Sequence, residues 1–437
     1  MSPAPDRRRL INAVSAAAIG AVLALACLGA LFGPQPGDDD YRLGLDFPAF
    51  YGAGTIAADG DLANLYDVDT QQAAQADLLD EGLMFFAYPQ PVALAYAPLT
   101  ALPPIPAYML HTVLMMGALI AAIALLRPMV RWIDEWPLPA TALALLFIPM
   151  ASAVTLGQNT ALSLLLVVAG WRALRAGRDA WAGVAFALAC YKPQIGIPLV
   201  GLVILGRHWR VLQGFVAAAT VTYLGTALAA GWDWPLHWWD RANWYNSIET
   251  TAGAKHLVSF SGIAMTAFGA ESTVAALVGG ALTLATGAAL AWMWWTRRFQ
   301  FDTRMALTLV GIVLASTHAV SHDAALALPG VALLVDRLDR DQRWIPTSIF
   351  ALMVVQGFSG ELGFSVAPLA LAATAIMLIR TDGVGWAGRR DATPPAETHL
   401  EGTTWPSPPA LRSNLSTPPM PASTSASRTP EAVSGGR

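Results

Sequence analysis

Apolar runs long enough to cross a membrane recur along most of this chain, and polar residues are confined largely to the gaps between them. A helical crossing of roughly 30 Å of hydrocarbon takes about 20 predominantly apolar residues. The pattern predicts about twelve spans, near 10–33, 105–126, 138–155, 159–174, 180–191, 194–206, 211–231, 273–295, 303–317, 322–335, 344–357 and 363–379, several of them short or bounded by proline. The expected fold is therefore an all-α polytopic membrane protein. The first run follows Arg7, Arg8 and Arg9 and ends at Gly33-Pro34 without an A-x-A cleavage site, so it reads as a retained anchor. Residues 1–380 make up the expected membrane domain. From 381 onward Pro, Ser, Thr and Gly dominate without apolar periodicity, the composition of a disordered tail.

Composition strengthens this reading. Hydrophobic residues make up 55% of the 437 positions and charged residues only 13%, an apolar excess that soluble cores cannot hide. The net charge of −4 offers no basic face for nucleic acid. Cys27 and Cys190 both fall inside apolar runs and indicate neither a disulfide framework nor a zinc site.

Basic residues set the orientation. Arginine-rich clusters at 7–9, 127–131, 172–178, 207–210, 297–304 and 337–343 fall in every second gap, which the positive-inside rule places in the cytoplasm. Both termini are then cytoplasmic in a multi-pass protein of the bacterial inner (plasma) membrane. The connections near 34–104, 156–159, 191–193, 232–272, 317–322 and 358–362 face outward, and the two lysines of the chain, Lys192 and Lys255, both lie there. Asn414-Leu415-Ser416 matches an acceptor sequon but falls in the cytoplasmic tail and reads as chance.

The long first outer loop, 34–104, carries the most chemistry. The run Asp38-Asp39-Asp40 reads as a solvated loop. In Gly44-Leu45-Asp46-Phe47-Pro48-Ala49-Phe50-Tyr51, an acid sits among apolar neighbours close to the end of the first span. A carboxylate in such a poorly hydrated place has its pKa raised and becomes usable as a general base. The same aspartate can alternatively cap a helix starting near Phe50. Phe50–Asp59 and Val68–Leu79 read as two short amphipathic helices lying on the membrane surface, separated by residues 60–67. Asp67-Val68-Asp69 reads as a helix cap. The apolar segment from Tyr88-Pro89-Gln90-Pro91 to Leu102-Pro103-Pro104 is too short to span and reads as re-entrant or interfacial.

These strings carry a family resemblance. D-F-x-x-F-Y-x-A-G from Asp46, G-x-L-x-N-L-Y-D from Gly60 and F-x-Y-P-x-P from Phe86, followed by A-P-L-x-x-L-P, resemble glycosyltransferase family 87. Leu156-Gly157-Gln158-Asn159, the segment from Trp181-Ala182-Gly183 to Tyr191-Lys192-Pro193, and the basic Arg207 to Arg210 resemble later family motifs. The likeness covers roughly residues 40–335; Gln90 stands between the two prolines where the family turn is usually tighter. It implies a GT-C-like membrane fold and transfer of a hexose, with mannose as the family's sugar, from a polyprenyl-phosphate donor to a lipid or glycan acceptor on the outer face. It also implies that Asp46 is the base of an inverting reaction, a single carboxylate sufficing because the phosphate is already a good leaving group. No cofactor and no metal are called for, and the partners are membrane lipids, the donor and the acceptor.

Lys192 is the candidate cation for the donor phosphate, or else a lysine snorkelling to the interface. Arg241 is a second candidate contact, and Tyr51 and Tyr88 are candidate substrate contacts from the family strings. His318 and His322, spaced as one helical face would require, are candidates for the donor phosphate or acceptor; without a glutamate after the first histidine they do not form a zinc-protease pattern. The amides of Gln158 and Asn159 could bind sugar hydroxyls or cap the next helix. The aromatics Trp232, Trp234, Trp238, Trp239, Trp244 and Tyr245 read mainly as an interfacial belt, with a minority as candidates to pack on the prenyl chain or on a sugar ring. The competing function is a transporter or flippase for a lipid-linked or small solute. That reading requires repeat symmetry and charge at mid-membrane depth, and neither is evident in the chain.

Overall fold

The computed structural model describes residues 5–32, 43–79 and 82–383, and every regular element within them is helical. The acidic run at 38–40 and the tail from 384, with the sequon at Asn414, lie outside the described residues. In chain order, α1 (Pro5–Phe32) leads into three short helices, α2 (Phe47–Ala58), α3 (Val68–Gln75) and α4 (Gln90–Tyr96), and then α5 (Pro104–Leu126). Next come α6 (Arg131–Glu135), α7 (Pro137–Leu146), α8 (Ile148–Thr155), α9 (Thr160–Arg175), α10 (Asp179–Ala189) and α11 (Pro193–Leu205). The long α12 (Arg210–Ala230) is followed by α13 (Trp234–Ala252), α14 (Phe260–Phe268), α15 (Thr273–Thr296) and α16 (Phe301–Ala315). The last helices are α17 (Leu328–Arg337), α18 (Trp344–Gln356), α19 (Ser359–Leu362) and α20 (Ala367–Arg380).

Among the described residues, α1, α5, α12 and α15 have the length and hydropathy of a crossing. The pair α7–α8 adds a fifth, bent by 76°. The bend has a local cause: Phe147 is extended, and Pro149 has no N–H to continue the helical ladder. The chain is thus a helical membrane protein, but helix length does not reach the expected count of about twelve. Residues expected to span at 180–191, 194–206 and 322–335 form helices of 11, 13 and 10 residues, shorter than a straight crossing needs. Proline punctuates them. It occupies one of the first two positions of α5, α7, α8, α11, α17 and α20, where its missing N–H is harmless and its fixed φ starts a helix.

The main core gathers the inward faces of α5, α8–α11, α16, α17 and α20, with Trp171, Phe186 and Trp294 fully buried. Carboxylates fasten helix ends at the arginine-rich side. Asp302 accepts the Trp171 indole N–H at 3.0 Å and pairs with Arg175, and Asp336 accepts the backbone N–H of Arg131 and Trp132. From that side α16 runs toward Ala315, where the principal cavity opens.

The first long connection also differs from expectation. α2 is more enclosed than an amphipathic surface helix: Phe50, Ala53 and Ile56 are buried against α3, α4 and the residues after α4, and Phe47 is buried against Tyr108 and His111 of α5. Phe50 stacks on Tyr96 at 4.9 Å and meets Phe86 edge-on. This apolar face is too completely covered to lie in lipid headgroups. Asp67 does cap α3, accepting the Thr70 N–H at 2.9 Å.

Candidate functional site

Asp46 is carried by a tight turn, Leu43–Asp46, that runs directly into α2. Gly44 has φ +61 and Leu45 φ +30, the latter a conformation that L side chains avoid, so the turn is strained beside the proposed base. The Asp46 N–H donates to the Leu156 carbonyl at 2.9 Å, docking this turn on the Leu156-Gly157-Gln158-Asn159 turn. Gly157 has φ +77, and a Cβ there would come within 2.5 Å of Phe47 Cβ. The glycine therefore permits the close approach that sets where Asp46 stands. Asp46 occupies the cap position of α2, but its side chain makes no capping hydrogen bond, so the capping role is not realised.

Lys192 sits in the turn between α10 and α11, and its side chain is only 2% exposed. Nζ lies 2.9 Å from Asp323 Oδ1, a buried ion pair joining positions far apart in sequence. The ammonium also lies 6.0 Å from the centroid of the Tyr88 ring, which stacks over Tyr191. Tyr88 in turn donates its hydroxyl to Gln158 Oε1 at 3.3 Å. Asp323 is held in a 3₁₀ turn, Ser321–Ala327, where its other oxygen accepts the Val320 N–H at 3.3 Å. His322 Nε2 stands 3.8 Å from Asp323 Oδ1, a contact rather than a hydrogen bond. The preceding strip is pinned by the Val258 N–H donating to the Ala319 carbonyl at 2.8 Å.

These turns lie between helices, and their electrostatics follow from burial and pairing. Burial opposes the charge of Lys192, but Asp323 outweighs it with help from Asp46, and the lysine pKa stands above its ordinary value. Burial likewise opposes ionisation of Asp323, yet Lys192 and His322 hold its carboxyl below the usual range. Burial pushes the His322 imidazole down to about 4. Near neutral pH the cluster is an ammonium, a carboxylate and a neutral imidazole.

One cavity of about 1580 Å³ collects Asp46, Tyr88, Gln158, Lys192, His318, His322 and Asp323 in its wall. From this charged end it continues as an apolar trough lined by Gly201, Leu202 and Leu205 of α11, Leu284 and Ala288 of α15, and Ile312 of α16. Along α11 the apolar lining runs from Pro198 to Leu205, about 10 Å of helix.

Other expected site residues lie elsewhere. Asn159 is buried behind the wall, where its carbonyl accepts the Tyr191 hydroxyl at 2.8 Å. Arg241 is exposed and away from the cavity, its charge acting on Asp67. Tyr51 donates to the Leu102 carbonyl at 2.9 Å and faces a separate cavity of about 590 Å³ beside Thr55 and Asp59. His318 and His322 do not share a helical face, because Ser316 and Val320 are extended and only Ser321 begins the 3₁₀ turn. His318 packs edge-on against Tyr245 at 6.3 Å. Among the described residues, no group of three or more His, Cys, Asp or Glu side chains is placed to hold a metal.

Asp323 is the residue that sequence reasoning passed over, although a signal existed. It is the one carboxylate in the apolar stretch 303–335, and such a charge requires a partner.

Fold and site together define a helical membrane protein with a large amphipathic cavity, charged at one end and apolar along its length. Comparison then gives the family. The sequence model of glycosyltransferase family 87 matches residues 86–317, more than half of the chain, and the protein belongs to that family. It is accordingly a membrane glycosyltransferase. No curated protein and no solved structure matches it. Asp46, His322 and Asp323 fall outside the matched residues, so their placement at the cavity rests on geometry alone.

Proposed function

We propose that this protein is an inverting hexosyltransferase that moves a sugar, mannose by family resemblance, from a polyprenyl-phosphate donor to a lipid or glycan acceptor. The carrying observation is the cavity itself: a charged end holding Asp46, Lys192 and the His322–Asp323 turn opens into a trough lined by apolar residues of three helices. That division matches a donor with an ionic head and a long hydrocarbon tail. A hydrophilic nucleotide sugar gives no reason for the trough.

In this reading the tail lies in the trough and the phosphate approaches Lys192. An ammonium has three N–H donors, and one bond to Asp323 leaves two for phosphate oxygens. Asp46 accepts the acceptor's hydroxyl proton as that oxygen bonds to the anomeric carbon. The bond from the anomeric carbon to the phosphate oxygen breaks on the opposite face, and polyprenyl phosphate departs with the electron pair. His322, neutral near pH 7, can offer one N–H to a sugar hydroxyl or the phosphate. The chain crosses the bacterial inner membrane about twelve times, using short and bent segments, with both termini cytoplasmic and the site on the outer face. Opposite ends of α16 support that orientation, one lying in the arginine cluster at 297–304 and the other at the cavity.

The test is transfer from radiolabelled polyprenyl-phosphate mannose by the purified protein in nanodiscs, comparing wild type with Asp46→Asn. Losing a general base lowers turnover by roughly 10²–10⁴-fold. The product's anomeric configuration should be the reverse of the donor's. Equal transfer by the variant removes Asp46 from the mechanism, and retained configuration removes the inverting one.

A further inference from the structure

The wall of the main cavity divides into three parts, and the reading above uses two. The ionic end takes the phosphate and the base, and the trough of α11, α15 and α16 takes the hydrocarbon. The third part is one side of α13, which presents Trp238, Trp239, Asn243 and Tyr245 to the cavity. Positions i, i+1, i+5 and i+7 of a helix fall on one side, so this is a continuous strip.

Two features separate the strip from an aromatic belt in lipid headgroups. An interfacial helix segregates its apolar residues onto one face, whereas in α13 apolar and polar residues are spread around the axis. The aromatics are also fixed by contacts to the protein. The Trp238 indole N–H donates to the Ala87 carbonyl at 3.0 Å, one residue before Tyr88 of the charged cluster. Tyr245 stacks on Phe85 with centroids 5.1 Å apart. Trp239 meets Trp238 at 68° and keeps 58% of its surface exposed, leaving an indole face open. Asn243, one turn further along, is exposed as well.

An open indole face beside an amide suits a pyranose. The C–H face of the ring stacks on the aromatic surface, and the amide donates to one hydroxyl and accepts from another. We propose that this face of α13 is a carbohydrate subsite for the acceptor, with Trp239 as the stacking platform and Asn243 as the hydroxyl contact. The acceptor is therefore a glycoside, entering the cavity from the side of α13 with its free hydroxyl toward Asp46. The proposal rests on the glycosyltransferase reading of the cavity, and its test separates the two.

The probe is octyl α-D-mannoside with the full-length protein in nanodiscs, observed by saturation-transfer NMR at the sugar-ring protons. Wild type should saturate the ring protons, Trp239→Ala should lose that signal, and Trp239→Phe should regain most of it. Saturation confined to the octyl chain in wild type, or ring signals unchanged in Trp239→Ala, overturns the subsite. In the transfer assay with polyprenyl-phosphate mannose, Trp239→Ala should raise KM for the glycoside on the order of tenfold and leave donor KM unchanged. A rise in donor KM alone assigns the strip to the donor and overturns the proposal. If wild type transfers nothing from this donor, the donor reading fails, and the ring-proton signals still decide the subsite.

Discussion

Replacing one member of the Lys192–Asp323 pair should destabilise the protein far more than replacing both. The side chains are 2% and 8% exposed and bonded at 2.9 Å, so either survivor is left as an unpaired charge in an apolar wall. Breaking such a pair from one side costs about 3–5 kcal/mol, whereas replacing both partners with apolar residues of similar volume is often close to neutral. Lys192→Met and Asp323→Leu should each lower the apparent Tm on the order of 5–10 °C, and the double variant by clearly less than their sum. The assay is thermal unfolding in one detergent, arranged as a double-mutant cycle. Additive losses, or single variants unfolding with wild type, would refute the buried-pair argument.

The pH dependence sharpens this test. In wild type the carboxyl pKa is lowered and the lysine pKa raised. The pair's contribution is thus complete between the two ordinary values, 3.8 and 10.5, and is lost only below the depressed carboxyl value or above the raised lysine value. In Asp323→Asn the main influence raising the lysine pKa is gone and burial lowers it. The unfolded chain then binds more protons than the folded one, so the deficit against wild type should shrink as pH rises toward the lysine range. Transfer should not recover in the Met/Leu double variant, because the cation proposed to hold the donor phosphate is gone; recovery would show that Lys192 is structural only.

Gly157→Ala should displace the Asp46 turn, since its Cβ would press on Phe47 at a positive φ; a loss of about 1–3 kcal/mol and a fall in kcat exceeding the change in donor affinity are expected from melting and kinetics. With His322 titrating near 4, the pH profile of kcat should show no inflection from this histidine between about 5 and 8, and an inflection there that vanishes in His322→Gln would refute its burial. Arg241→Ala and Tyr51→Phe should leave transfer within about twofold of wild type, because neither side chain reaches the main cavity; a larger kinetic effect would place the site elsewhere.

What the sequence discloses depends on how far the cause lies from the residue. Asp46 and the Leu156–Asn159 turn stand out as members of short strings that carry the family resemblance, but the contact of Gly157 with Phe47 that docks the two turns joins distant positions and is not legible. Lys192 stands out because the chain has just two lysines and this one interrupts an apolar run. Its partner is 131 positions away, and only the demand of a buried ammonium for a counter-ion links it to the lone carboxylate of 303–335. Helix rotation is harder still: Arg241 and Asn243 are two residues apart on α13, yet only Asn243 reaches the cavity. That difference depends on which side of α13 is anchored, and the anchor is the bond from Trp238 to the backbone of Ala87. Span number is hard to read from hydropathy for a related reason. Hydropathy registers that residues are apolar, but not that Pro149 bends one run by 76° or that a 3₁₀ turn at 321–327 takes up the start of another. Those irregular stretches also position the chemistry. Backbone polar groups freed at depth must line a cavity or be buried in protein, and the breaks at Lys192 and Asp323 both open on the cavity where the sugar is proposed to move.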